Sequence, residues 1–193
     1  MKIYDISQEI FSCTVYPGDP KPQRQVLCST ASGDLYNLTA FSMCAHNGTH
    51  IDAPFHFLSD GKTVDQLPLD VFVGDCYVAR HEGDVSAADA SDICAGAGSA
   101  HRILIAGDIT VTEAAAEVFA RSSILLLGNE GQTVGPVDAP MQVHLLLLGK
   151  GIALLEGIVL KDVPQGHYFL SAAPVNLAGA DGAPCRAYLI GVE

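Results

Sequence analysis

Short apolar runs, each closed off by glycine, proline or a polar cluster, set the main limit on how this chain can fold. None approaches the roughly 20 residues that a bilayer-spanning helix needs. They alternate with short stretches of helical pattern, and strands alternating with helices predict an α/β or α+β domain. Strands are expected at Lys2–Ile6, Leu35–Met43, Gly74–Arg80, Arg102–Ala106, Ile124–Leu127, Ile152–Leu155 and Ala187–Val192. Gly128 is expected to end the fifth of these. Thr110 and Glu113 have the spacing of a capping box, which predicts a helix from there to about Arg121. A second helix is expected over Asp138–Leu148, stopped by Gly149 and Gly151. Tyr16-Pro17-Gly18-Asp19-Pro20 reads as a turn, because proline fixes φ and glycine accepts positive φ.

With 193 residues and no linker, repeat or low-complexity tract, residues 1–193 are expected to form one domain. A chain of this length can bury roughly 70% of its unfolded surface, so it needs no staples. Trp is absent, so the core must rest on Leu, Ile, Val and Ala. The net charge of −12 repels phosphate backbones and anionic lipid, which argues against nucleic acid and membrane as partners. Six cysteines lie far apart with no C-x-x-C pair, and no basic start leads into an apolar leader. Both features predict a reduced, cytoplasmic protein.

One stretch carries chemistry. His46, His50, Asp52 and His56 fall within eleven residues, spaced H-x-x-x-H-x-D-x-x-x-H. Imidazole and carboxylate together suit Zn, Mn or Fe, and a catalytic metal site leaves one position open for water. Gly48 and Pro54 rule out a continuous helix. The spacing of His50 and Asp52 instead suits a strand, which points both side chains to one face. Gly48 would bring His46 round to the same centre, and Pro54 would leave His56 nearby without binding. His81, His101 and His167 read as ordinary surface or core residues. A purely structural cluster explains three histidines and an aspartate among glycine and proline poorly, and a structural metal site would favour cysteine. Cys44 is read as a small packing residue beside the site, with a ligand role as the alternative. Later in the chain, His144 and Glu156 flank Gly149 and Gly151, which permit a tight reversal that could bring them together.

The stretch His46–His56 resembles the H-x-G-T-H-x-D-x-P-x-H signature of the Putative cyclase family, which includes bacterial kynurenine formamidase and isatin hydrolase. Every defined position is matched. Tyr4-Asp5-Ile6-Ser7 and the Pro17-Gly18-Asp19 turn are similar to the family's opening. Gly151–Glu156 is similar to its G-I-x-I-L-E strand, and Ala180–Ala187 to its closing G-A-D-G-x-P-x-R-A segment. The resemblance implies a swivelling β/β/α type of α/β fold, a single compact domain around a curved, barrel-like mixed sheet with flanking helices. It also implies a homodimer or homotetramer. His46, His50 and Asp52 would hold one divalent metal, Zn²⁺ or Mn²⁺, with His56 as general acid/base. In two-metal members Asp52 would bridge to a second ion held by His144 and Glu156.

Two departures bear on substrate. Formamidases of this type generally carry Trp before the P-G-D turn, where an aromatic substrate is handled, and here the residue is Tyr16. Gly128–Gly135 replaces the family's G-I-D-T-P-S-V-D, so Asn129, Glu130 and Gln132 become candidate polar substrate contacts. The expected activity is metal-dependent hydrolysis of a linear or cyclic amide, a carbon–nitrogen bond other than a peptide, by a metal-activated water. No G-x-S-x-G elbow is present to support a serine hydrolase. The alternatives are the same site acting on a lactone or ester, or as a dehydratase or cyclase on a polar hydroxy acid. A non-catalytic metal-binding module is the third.

Overall fold

The structure, a computed structural model, describes residues 1–191. The strands are β1 (Lys2–Asp5), β2 (Gln23–Cys28), β3 (Leu38–Ser42), β4 (His50–Asp52), β5 (Val73–Arg80), β6 (Gly83–Val85) and β7 (Arg102–Ala106). After them come β8 (Ile109–Val111), β9 (Leu126–Asn129), β10 (Ala153–Glu156), β11 (Gly166–Ser171), β12 (Gly182–Pro184) and β13 (Tyr188–Gly191). The helices are α1 (Ala87–Ala97), α2 (Glu113–Arg121) and α3 (Met141–Leu148).

The most apolar strands, β5, β7, β9 and β10, lie side by side and parallel. Each crossover steps one strand in the same direction, and crossovers of one hand then place all three helices on one face. There Ile93 of α1, Phe119 of α2 and Leu147 of α3 pack with Ile103, Ile105, Leu127 and Leu154. The alternate residues Val78, Leu104, Leu126 and Leu155 enter a second core on the opposite face. Burial on both faces is why the middles of these strands, such as Cys76–Ala79 and Ile103–Ala106, are apolar and do not alternate.

Antiparallel strands extend the block on both sides, giving the order β1-β13-β11-β5-β7-β9-β10-β4-β12. The nine strands curl around the second core as a half-barrel, in agreement with the curved mixed sheet of the expected α/β fold. β6 pairs with β8 beside it, while β2 and β3 form a separate two-stranded hairpin.

Several boundaries differ from the sequence expectation. Thr110 lies inside β8, and the α2 cap is Thr112, whose Oγ1 accepts from the Ala115 N–H at 3.2 Å. The β-branched run Ile109-Thr110-Val111 pairs with β6, so the cap moves two residues on. Gly128 lies within β9, where a Cβ would meet Leu104 Cδ2 at 2.6 Å. It is a glycine for lateral packing and does not end the strand. α3 begins at Met141 because Pro136–Ala139 makes a hydrogen-bonded turn first. β3 spans only Leu38–Ser42 of the expected Leu35–Met43. The last strand covers Tyr188–Gly191, and the expected end at Val192 lies outside the described residues. α1 has no expected counterpart: its Ala, Gly and Asp carry no apolar stripe, although Ser86 and Asp89 form a full capping box. No described helix is long and apolar enough to cross a membrane.

Candidate active site

Five pieces of chain converge at the C-terminal ends of the parallel strands β9 and β10, where α/β sheets generally bind their ligands. β4 supplies His50 and Asp52 on one face, while Ile51 between them is buried in the second core. Its antiparallel register with β10 sets Glu156 directly opposite His50. His144 reaches in from α3, and its Nε2 lies 3.3 Å from Glu156 Oε1 and 3.6 Å from Asp52 Oδ2. His46 arrives from the loop before β4, with Nδ1 2.7 Å from Asp52 Oδ1. Gly48 turns that loop with φ of +65°, and a Cβ there would strike Cys13. Pro54 opens a single helical turn that ends on His56. The sequence thus anticipates this assembly: His46, His50, Asp52, His56, His144 and Glu156 all line one cleft of about 260 Å³.

The imidazoles share one design. His50 Nδ1–H donates to the Gly48 carbonyl at 2.9 Å, leaving the Nε2 lone pair 3.3 Å from Asp52 Oδ1 and 3.6 Å from Glu156 Oε2. His144 Nδ1–H donates to the Pro140 carbonyl at 2.8 Å, so its Nε2 lone pair also faces the carboxylates. His46 Nε2 is held by Asp181 Oδ2 at 2.8 Å, which turns Nδ1 toward Asp52. Asp52 and Glu156 are almost sealed from water, at 1% and 2% exposure. Buried carboxylates are stable only beside positive charge. Either the imidazoles supply that charge as imidazolium, or a cation lies between lone pairs and carboxylates.

The protonation preferences follow from this packing. Burial disfavours charge on His46, yet hydrogen bonds and charge from Asp52 and Asp181 outweigh it and raise the pKa to about 9. His50 and His144 are raised in the same way, against burial, by Asp52 and Glu156. Burial alone would raise Asp52, but hydrogen bonds from His46 and His50 hold it well below the usual carboxylate range. A donor set of three imidazoles with one lone pair each and two carboxylates therefore fits a divalent ion. Two groupings place ligand atoms within 4.8 Å of one another: His46, Asp52 and His56, and His50, Asp52 and Glu156.

The remaining candidates separate. Tyr16 and Gln132 line the cleft, together with Phe57, Thr133 and Pro140. The Tyr16 hydroxyl donates to the Val137 carbonyl at 2.7 Å, and Gln132 Nε2 donates to the Gly48 carbonyl. Asn129 and Glu130 are not brought to the cleft. Asn129 is buried, with its Nδ2 on the Thr133 carbonyl. Glu130 receives the Gly107 and Leu160 N–H groups, which makes its carboxylate a bracket between loops and not a substrate contact. The sulfur of Cys44 faces Asp19 Oδ2 at 3.8 Å, and neither grouping of ligand atoms among the described residues includes it. Asp181 lies between His46 and His56, and sequence reasoning gave it no role. Its only signal was membership of the closing G-A-D-G segment.

Comparison with known proteins agrees with this geometry. The chain is 32% identical over 210 residues to the kynurenine formamidase of Salinibacter ruber, covering 98% of this chain and 97% of that one. A solved structure described as a potential metal-dependent hydrolase with cyclase activity is 29% identical, covers 100% of this chain and 98% of its own, and superposes with a TM-score of 0.84. Isatin hydrolase A from Labrenzia aggregata, bound to benzyl benzoate, shares the fold at a TM-score of 0.86 and 20% identity, covering 100% of this chain and 94% of that one. The model of the Putative cyclase family matches residues 4–129, and with the full-length likeness to the Salinibacter ruber protein this establishes that the chain belongs to that family.

Proposed function

We propose that this protein is a metal-dependent amidohydrolase, cleaving a linear or cyclic amide with water at the His46–Glu156 centre. One observation carries the reading: three imidazoles, each anchored at one nitrogen, aim the other at a single buried carboxylate pair beside an open cleft. The names of the relatives, kynurenine formamidase and metal-dependent hydrolase, point to the same chemistry.

In this reading His46, His50 and Asp52 would hold a first Zn²⁺ or Mn²⁺, and Asp52, His144 and Glu156 would hold a second. An ion so held would supply a water of pKa lowered from near 16 toward roughly 7 and a charge to polarise a carbonyl. The chain's own residues do the rest. His56 is the general acid/base, taking the proton of the attacking water and returning it to the leaving nitrogen. It is half-buried, with Nδ1 on Asp181 and the ring packed edge-on against Phe57, so its motion is restricted at the cleft wall. Phe57 and Pro140 exclude water from one side, while Tyr16 and Gln132 offer polar contacts to substrate.

A second reading keeps the centre and changes the bond: a lactone or ester, or dehydration or cyclisation of a polar hydroxy acid. Tyr16 in place of Trp and the polar Gln132-Thr133 wall favour it. A non-catalytic metal module predicts no cavity beside the ligands, which the cleft speaks against. We also propose a homodimer or homotetramer, since the β2–β3 hairpin exposes Val26, Leu38 and Phe41. The test is turnover of formylated aryl-amines, cyclic amides and lactones by protein loaded with Zn²⁺ or Mn²⁺. Nitrogen release would separate amide from ester chemistry. Undiminished turnover after chelation, or in His56→Ala, would refute the mechanism.

A further inference from the structure

Asp181 sits in the turn before β12, about two-fifths exposed, yet one of its oxygens holds two rings of the site. Oδ2 lies 2.8 Å from His46 Nε2 and 3.1 Å from His56 Nδ1. The two rings stack, with centroids 4.1 Å apart and planes 29° apart. A carboxylate has only acceptor sites, so it selects the N–H form at both ring nitrogens. That choice fixes the other nitrogen of each neutral ring. His46 Nδ1 then carries the lone pair that a cation beside Asp52 would take, and His56 Nε2 is left as the atom that gains or loses a proton.

The backbone holds this carboxylate in place independently of the side chain. The Asp181 carbonyl accepts from the Ala53 N–H at 2.9 Å, and Gly182 pairs with Asp52 across β4 and β12. The close approach depends on glycine at 182, where a Cβ would lie 2.6 Å from the Ile51 oxygen and 2.7 Å from His46 Cε1. The closing segment is thus drawn against the histidine loop, and Asp181 is its first residue to reach the rings.

We propose that Asp181 is a positioning residue that sets the tautomers of the ligand His46 and the acid/base His56 together. It rests on the reading of the centre given above, and it makes metal affinity and proton transfer depend on a single carboxylate. A carboxylate behind a ligating imidazole typically contributes 10–100-fold in metal affinity or activity.

The test compares wild type, Asp181→Ala, the near-isosteric Asp181→Asn and His56→Ala. Zn²⁺ affinity is read by chelator competition, and ring tautomers by ¹⁵N chemical shifts of the zinc-loaded protein. Asp181→Ala is expected to bind Zn²⁺ about 10–100-fold more weakly and to release His56 from the Nδ1–H form, while Asp181→Asn, which keeps an acceptor oxygen without the charge, is expected to weaken Zn²⁺ less and retain that form. His56→Ala is expected to keep wild-type Zn²⁺ affinity. Where turnover is measurable, kcat falls in the Asp181 variants with little change in KM, and added acetate restores part of it in Asp181→Ala. Zn²⁺ affinity within twofold of wild type in Asp181→Ala, or an unmoved His56 tautomer in that variant, overturns the proposal. Neither decisive readout needs a substrate, so absence of amide turnover in wild type would count against the proposed function and leave this inference to be judged separately.

Discussion

The metal-compatible centre and the β2–β3 hairpin invert the usual rule of burial in opposite senses. In the centre, the polar residues His50, Asp52, His144 and Glu156 are at most 3% exposed. In and beside the hairpin, Val26 is 56% exposed, Phe41 59% and Leu35 97%. Charged groups are rarely sealed away unless paired, and apolar clusters rarely face water unless another surface covers them. An isolated two-stranded hairpin is itself marginal in water. The contrast is what a cation in one region and, in the oligomer proposed above, a second copy of the chain on the other would each explain.

Asp52→Asn removes charge from the carboxylate that faces all three imidazoles, so metal content and turnover should both fall to background. Metal analysis of the purified variant checks this, and normal metal content would sink the account of the centre. His56→Ala should leave metal content unchanged while lowering kcat by roughly 10²–10⁴-fold, the usual share of a general acid/base.

Next comes acidity. The pKa of His46 is raised from 6.5 to about 9, so its stabilising share in the metal-free protein is complete below pH 6.5 and lost as pH rises through about 9. His50 and His144, also raised, add to that loss. The Tm of chelated protein should therefore fall across this window. With Zn²⁺ present the trend should reverse, because the ion competes with those same protons. Parallel thermal scans with and without metal decide the matter. The smallest effect belongs to the hairpin. Val26→Lys with Leu38→Lys should change the stability of the protomer by no more than about 0.5 kcal/mol, yet shift sedimentation toward monomer. An unchanged assembly would mark the hairpin as a merely solvated arm.

Legibility in the sequence follows the range of the interaction. β7 appears over the full expected Arg102–Ala106, because its run Ile103–Ala106, buried on both faces, is apolar without a break. The alternation of His50 and Asp52 was equally readable, being set by the two-residue period of one strand. The meeting of His144 with Glu156 was anticipated from the glycines between them. Asp181 was not, since it reaches His46 across 135 residues and only the β4–β12 register brings them together. Glu130 misled for a related reason: its carboxylate satisfies two backbone N–H groups on loops that nothing local ties to it. α1 escaped because small residues can cover a sheet without forming an apolar stripe.

The phenol of Tyr16 joins its turn to the segment around Val137 by one hydrogen bond, and these two loops meet above the cleft. His50, Asp52 and Glu156 below hang from the strands β4 and β10, while His144 is anchored on the Pro140 carbonyl in the segment around Val137. Replacing the Tyr16 turn would therefore alter what the enzyme admits while leaving its reactive floor in place, so that appetite and chemistry can drift apart over evolutionary time.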